Sequence, residues 1–502
     1  MATAYKNLLA LRNVSDVSRI KSNFYFLIIL NIMIEILKNS ISSDVVYDEW
    51  VRVSKETFNK MSDSDLYSDK VQHIYFYSDI HNESVGNLQK LLMEASKTVV
   101  SESGIKTTPK PIVIHLSSNG GDTISMNIFN VFSQTQRLPL CVIIESECSS
   151  AATELQLLAP YRVMVDYSKY LIHDTAGRSF GKTANTVKTK TSIYTQLLNY
   201  IELLRKRTKL TNEEIDKFIS RDLLVDSNYC LKHGIIDRIL RFPKINSPSH
   251  YSNSSNLSLS IHTFLKKTNL NHIYIDSDEI TSNELITSMS VPANLSEIKD
   301  LNQLCLELDN NFLRKDENVK PIIIHFRPQL IRTFSNSNMV RWYNILNYRL
   351  SLIQKKIPVI AFIEGSQSLD ILGSILCCPI RIMMTPSIVS SVFTYSWDMG
   401  GSGWKVIDVM ENTKFYMDQV VKYLKEKSKL PTQFYKDMRT KIINLSPETL
   451  LKYEIVHKVM KLHTRDMTPK NIIKYLHIDE MTNDYTPFSR DTRVKGRTDK
   501  KR

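Results

Sequence analysis

Two cysteine patterns are missing from this 502-residue chain: Cys141, Cys148, Cys230, Cys305, Cys377 and Cys378 form no CxxC pair and no zinc-like spacing. Cys377 and Cys378 are adjacent, which suits neither a disulfide nor a metal site. A reducing intracellular compartment is the expectation, a plastid or a virus-encoded origin being left open. A membrane-length apolar run is missing as well. Phe24–Leu37, "FYFLIILNIMIEIL", has 14 residues and contains Asn31 and Glu35, short of the roughly 20 that a span needs. It reads as a packing helix, with a weak anchor or an atypical targeting segment as the other readings. The 23 residues before it lack the short basic start of a signal peptide. Concentrated charge is scarce too: the net +13 is spread over 502 residues and makes a weak case for nucleic acid. Arg490–Arg502 holds seven Lys/Arg and two Asp and reads as a solvated tail, a localisation signal or a nucleic-acid contact.

What is present is the composition of a folded protein, 42% apolar and 23% charged, long enough for two to four domains. The chain also repeats itself. "KPIVIHL" at Lys110–Leu116 returns as "KPIIIHF" at Lys320–Phe326, and "RLPLCVIIE" at Arg137–Glu145 returns as "KIPVIAFIE" at Lys356–Glu364. "HIYFYSDI" at His73–Ile80 returns at His272–Ile280, "LLAPYRVMV" at Leu157–Val165 returns at Leu376–Met384, and Cys230–Leu240 parallels Leu450–Met460. From Pro139/Pro358 onward the offset stays at 219 (358 − 139), which predicts two copies of one domain. A Ser- and Asn-rich stretch beginning at Pro243 separates them and reads as a linker.

Within the first copy, short β-branched runs (Ile74–Tyr77, Ile112–Leu116, Leu140–Ile144, Arg162–Val165) alternate with helical patterns such as Ser125–Thr135 and Thr183–Lys209. This predicts an α/β fold with a mainly parallel sheet and helices, whose function gathers at the carboxyl ends of the strands. Two strand ends carry chemistry. "SSNGGD" follows one, and Gly120 and Gly121 let the backbone turn sharply and expose its N–H groups; a plain turn is the bland alternative. "ESECSSAATELQ" follows another, with Cys148, Ser149 and Ser150 in a row before a helix. A serine there is either an ordinary N-cap or a nucleophile that requires a base and an orienting acid. His173 ends a later strand in "KYLIHDT", and Asp222 stands between a helical pattern and an apolar run in "FISRDLLVD".

The order of these motifs resembles the Clp protease proteolytic subunit family. The gaps are 150 − 121 = 29, 173 − 150 = 23 and 222 − 173 = 49, close to that family's arrangement. The resemblance implies a ClpP/crotonase-like fold and a serine endopeptidase. Ser150 would be nucleophile, His173 base and Asp222 acid, with the N–H groups of Gly121 and Ala151 as oxyanion donors. It implies no metal and no cofactor, a peptide or unfolded protein as substrate, an AAA+ unfoldase as partner, and a homo-oligomeric or mixed ring. Nucleic-acid and membrane partners are not implied. "AGRSFG" after His173 resembles the family's ring-joining handle, and "SWDMGGSGW", Ser396–Trp404, stands at the matching place in copy two.

The expected layout is an extension over 1–70, an active domain over 71–242, a linker over 243–262, a degenerate domain over 263–462 and a basic tail over 463–502. In the second copy Ser150 maps to Leu369, His173 to Val392, Asp222 to Lys441, and the glycines to Leu330 and Ile331. That copy is read as a non-catalytic assembly partner. The chain departs from the family in its acidic surroundings. Glu147 and Glu154 flank Ser150, and Glu147 would narrow the pocket or repel an oxyanion. Asp174-Thr175 follows the histidine where Gln-Pro is usual. The alternative reading is therefore a catalytically silent scaffold or regulatory ring subunit. A crotonase-class acyl-CoA enzyme and a tandem signal-peptide-peptidase-like enzyme are the remaining readings.

Overall fold

The β-branched runs of the first copy form the strands of a parallel sheet in the computed structural model. The structure describes residues 47–97, 99–100, 106–133, 137–173 and 183–246 and, further on, the segments 281–282, 287–291, 305–306, 308–313, 322–326, 337–363, 365–385, 388–390, 403–438, 441 and 443–460. Phe24–Leu37, the segment "AGRSFG", most of the linker, His272–Ile280, Leu330, Ile331, Val392, most of Ser396–Trp404 and the basic tail lie outside the described residues. The chain divides into two compact units, Met1–Leu240 and Arg241–Arg502.

In the first unit, β1 (Gln72–Phe76), β2 (Ile112–Ser118), β3 (Leu140–Ser149), β4 (Tyr161–Val165) and β7 (Arg238–Leu240) lie side by side in that order. All four pairings are parallel. Alternation along the strands sends Ile114, Leu116, Val142 and Ile144 into one hydrophobic core. There they meet Val85, Leu88 and Leu92 of helix α2 (Asn82–Ala95), Met126 and Phe129 of α3 (Thr123–Ser133), and Leu155 and Leu158 of α4 (Ala151–Leu158). A helix over residues 47–59, α1, fastens the N-terminal side. Trp50 Nε1 donates to Leu138 O at 2.6 Å, and Phe58 stacks on Tyr161 at 5.7 Å between ring centroids.

β3 is longer than its apolar run. It continues for five residues past Ile144, through the polar Glu145–Ser149. A buried polar network lets it do so, because a polar group leaves water at low cost only when it is hydrogen-bonded. Glu145 is fully buried; Tyr67 donates to its Oε1 at 2.7 Å, Tyr77 donates to its Oε2, and His115 Nδ1 lies 2.8 Å from Oε1. His115 Nε2 in turn lies 2.9 Å from His73 Nδ1, whose ring reaches Ser68 O at 2.8 Å. Past a register shift between Leu116 and Ser118, the distal end of β3 still meets β2 at Ser118–Cys148 and gains a further strand within the same sheet. Glu147–Ser149 pair in parallel with β5 (Lys169–Ile172), and β5 pairs antiparallel with β6 (Leu223–Asp226). Helices α5 (Thr183–Arg207), α6 (Asn212–Ser220) and α7 (Ser227–Lys232) flank these strands in sequence.

In the second unit, β8 (Thr281–Ser282), β9 (Thr287–Val291), β10 (Ile322–Phe326), β11 (Val359–Ile363), β13 (Ile380–Met384) and β16 (Lys458–Met460) form one sheet. Every pairing from β9 to β16 is parallel. A smaller sheet joins β12 (Ser366–Ser368), β14 (Ile388–Ser390) and β15 (Asn444–Leu445), the first pair parallel and the second antiparallel. Helix α8 (Ser337–Ile353) precedes β11, and α9 (Leu369–Leu376) follows β12 directly.

Candidate active site

Of the three nucleophile-type side chains at the end of β3, the fold leaves one accessible. Cys148 is fully buried. Ser149 is buried, and its Oγ donates to Glu147 Oε1 at 2.9 Å. Ser150 is partly exposed and forms the corner between β3 and α4. Its φ of 56° with ψ of −130° is a left-handed backbone that few residues other than glycine adopt. Strain of this kind costs about 1–3 kcal/mol and persists where the surroundings over-determine it. They do so here: Ser150 N–H donates to Leu171 O at 3.1 Å, and Ser150 O accepts from Thr153 N–H at 2.9 Å and from Thr153 Oγ1 at 2.5 Å. Although Ser150 stands at the N-cap position, its side chain makes no capping hydrogen bond. The N-cap reading of this serine therefore leaves its hydroxyl unexplained.

The glycine pair packs against that corner. Gly120 has φ +92°, and a Cβ built on it would fall 2.5 Å from Ser149 O, 2.5 Å from Ser150 Cβ and 2.9 Å from Ala151 N. Only a residue without a side chain fits. Gly121, at φ +145°, presses instead on Ile80, whose O would lie 2.2 Å from a Cβ there. Ile80 clasps the turn from both sides: its N–H donates to Gly120 O at 2.7 Å, and its O accepts from Asp122 N–H at 2.8 Å. Asp122 then caps α3, its Oδ1 accepting from Ile124 N–H at 3.0 Å and its Oδ2 from Ser125 Oγ at 2.8 Å. The loop is thus held between a strand end and a helix start, with Gly120 in direct contact with the Ser150–Ala151 peptide.

Strand register brings the other two sequence-derived residues to the same sheet end. Across β3 and β5, Ser149 pairs with Leu171. Across β5 and β6, Leu171 pairs with Leu224 and Ile172 with Leu223. His173 follows Ile172 and Asp222 precedes Leu223, so each stands one residue beyond the last paired rung of that ladder, where Leu223 N–H donates back to Arg221 O at 3.1 Å. His173 is half-buried and Asp222 is exposed.

The two flanking acids differ in placement. Glu147 is buried, with Oε1 taken up by Ser149, so it does not stand in solvent over Ser150. Glu154, one helical turn beyond Ser150, faces a cavity of about 80 Å³ between α3, α4 and α5. Burial pushes its carboxyl up to about 7 from an ordinary 4.5. The same cavity is bordered by Tyr200, whose hydroxyl lies 2.6 Å from Thr153 Oγ1 and which burial holds well above the usual phenol range. Sequence reasoning did not find Tyr200, although Gln196, Asn199, Tyr200 and Leu203 recur at the spacing of one helical face. Nor did it find the Glu145 network. Among the described residues no group of three His, Cys, Asp or Glu side chains could hold a metal ion, and no helix is long and apolar enough to cross a membrane.

Residues 70–242 match the family model "Clp protease". A curated relative, ATP-dependent Clp protease proteolytic subunit 2 of Leifsonia xyli, is 27% identical over 135 residues. Those residues are 26% of this chain and 60% of the relative's length. Among solved structures, a ClpP1 variant from Listeria monocytogenes is 20% identical, with a TM-score of 0.29, over 34% of this chain and 91% of its own. The segment from 70 to 242 is ClpP-like, an α/β unit on a mainly parallel sheet.

Proposed function

We propose that the first unit hydrolyses peptide bonds by acyl transfer. Ser150 Oγ attacks the carbonyl, His173 takes its proton and returns it to the leaving amine, and Asp222 holds the imidazole in the productive tautomer. The N–H groups of Gly121 and Ala151 receive the oxyanion; one such donor is worth about 3–4 kcal/mol of barrier. The observation that carries this reading is the strained Ser150 corner, whose hydroxyl is not spent on capping, packed against Gly120. The shared sheet end of His173 and Asp222 supports it, as does the likeness to Clp proteases.

The second unit, on this reading, is a degenerate copy that serves assembly. Its strands follow the same order and parallel pairing. Leu369 opens α9 where Ser150 precedes α4, and Lys441 lies 3.6 Å from Asp437, where the first unit has an acid. Assembly into rings and feeding by an AAA+ unfoldase follow from the family likeness. The test is proteolysis of unfolded casein and of a fluorogenic peptide panel by the full chain. Turnover that vanishes in Ser150→Ala and in His173→Ala supports hydrolysis. A well-folded wild-type chain that cleaves nothing in the panel, with or without an unfoldase, supports the silent scaffold.

A further inference from the structure

The cavity one helical turn beyond Ser150 is of mixed character, with Leu158 and Leu203 beside its polar side chains. Thr123 and Asn130 face it from α3, Glu154 from α4, and Gln196, Asn199 and Tyr200 from α5. Thr123 Oγ1 donates to Gln196 Oε1 at 2.5 Å, which fixes part of the rim. Among the described residues, nothing hydrogen-bonds or ion-pairs with the Glu154 carboxyl. A half-buried carboxyl without a partner is unfavourable when ionised, and an entering cation would relieve that cost. At about 80 Å³ the space holds several waters, and hence the polar end of one long side chain. One carboxyl does not make a divalent-cation site, which takes several oxygen ligands.

The cavity is also coupled to the proposed nucleophile. Glu154 lies four residues beyond Ser150 on α4, about 6 Å along the axis. Thr153 Oγ1 touches both Ser150 O, at 2.5 Å, and the Tyr200 hydroxyl, at 2.6 Å. A peptide whose carbonyl sits at Ser150 therefore has this cavity within reach of one of its side chains. We propose that the α3–α4–α5 cavity is a side-chain subsite that selects a cationic residue, Lys or Arg, with Glu154 as its recognition group. This rests on the hydrolytic reading given above and names the substrate class for it. Of the cavity's described lining side chains, only Glu154 and Tyr200 titrate; α3 contributes none and α5 only Tyr200.

The experiment uses the full-length Ser150→Ala protein, so that binding is read without turnover. Three fluorescent peptides differ at one position only: arginine, its neutral isostere citrulline, or leucine. At pH 8, with Glu154 ionised, arginine is expected to bind about tenfold or more tighter than citrulline, and the ratio is expected to shrink toward one at pH 5.5. Glu154→Gln in the same background is expected to abolish the preference. Gln is nearly isosteric with Glu, and a thermal melt of each variant verifies folding. Equal affinity for arginine and citrulline at pH 8, a preference that survives Glu154→Gln, or tightest binding of leucine overturns the subsite. So does the failure of all three peptides to bind. Hydrolysis of the same peptides by the chain retaining Ser150 reports separately on the catalytic reading, because cleavage without charge discrimination sinks the subsite alone.

Discussion

Replacing Gly120 by alanine probes whether the loop is truly seated on the nucleophile corner. The added Cβ would stand 2.5 Å from both Ser149 O and Ser150 Cβ, where ordinary contact begins at 3.4 Å. The backbone must therefore give by about 0.9 Å, because the neighbours are a carbonyl oxygen and a Cβ carried rigidly by the main chain rather than the far end of a flexible side chain. A displacement of that size at a reacting centre costs about 10²-fold in rate. The φ of +92° adds about 1–3 kcal/mol of strain for a residue with a side chain, which corresponds to a fall of several degrees in Tm for a unit of this size. The assay is kcat/KM on a fluorogenic peptide together with a thermal melt, for wild type, Gly120→Ala and Gly121→Ala. Gly121→Ala meets Ile80 O at 2.2 Å and is expected to loosen the Ile80 clasp, with a comparable loss of Tm. If Gly120→Ala keeps kcat/KM within twofold and Tm within a degree, the loop does not press on Ser150 and this account of the site fails.

Other consequences are as direct. Glu154 holds its proton up to about pH 7 in the folded chain but releases it near 4.5 when unfolded; stability therefore falls as pH rises from about 4.5 to 7 and stays lost above that. Glu154→Gln is expected to match wild type at pH 4.5 and exceed it by about 1–3 kcal/mol at pH 8, measured by urea unfolding; a difference independent of pH refutes the burial argument. His115→Ala removes one partner of the fully buried Glu145 and is expected to cost about 3 kcal/mol or more, whereas loss of an exposed histidine costs almost nothing. Because Asp222 is exposed, its field on the imidazole is screened by water; Asp222→Ala is expected to lower kcat by about 10², well short of the loss in His173→Ala, and equal losses contradict that ranking.

Sequence periodicity places much of this fold. The expected strand Arg162–Val165 is Tyr161–Val165, and the helix expected from Ser125 starts two residues earlier, at Thr123, behind the Asp122 cap, its expected end at Thr135 lying outside the described residues. The extension of β3 was hidden, because Glu145 and Glu147 look like loop residues until their partners Tyr67, Tyr77, His115 and Ser149 are known, three of them far away in sequence. From sequence alone, Ser150 is preferred to Ser149 because Ala151 and Ala152 follow it and leave the helix backbone uncovered. The structure supplies separate reasons, burial and the Glu147 contact for one serine, exposure and a positive φ for the other. The cavity could not be read at all, since Thr123, Glu154 and Tyr200 converge only when three helices pack. Glu154 was visible as an acid near the site, but whether it blocks or recognises depends on that packing.

The central claim is that Ser150 is an activated nucleophile, and covalent labelling tests it most directly. The full chain is treated with a fluorophosphonate and digested, and the adduct is located by mass spectrometry. The account predicts one adduct, on the peptide that spans Ser150, absent in Ser150→Ala and formed far more slowly in His173→Ala. An adduct on Ser149, or no adduct on a folded chain at any pH between 6 and 9, would contradict it.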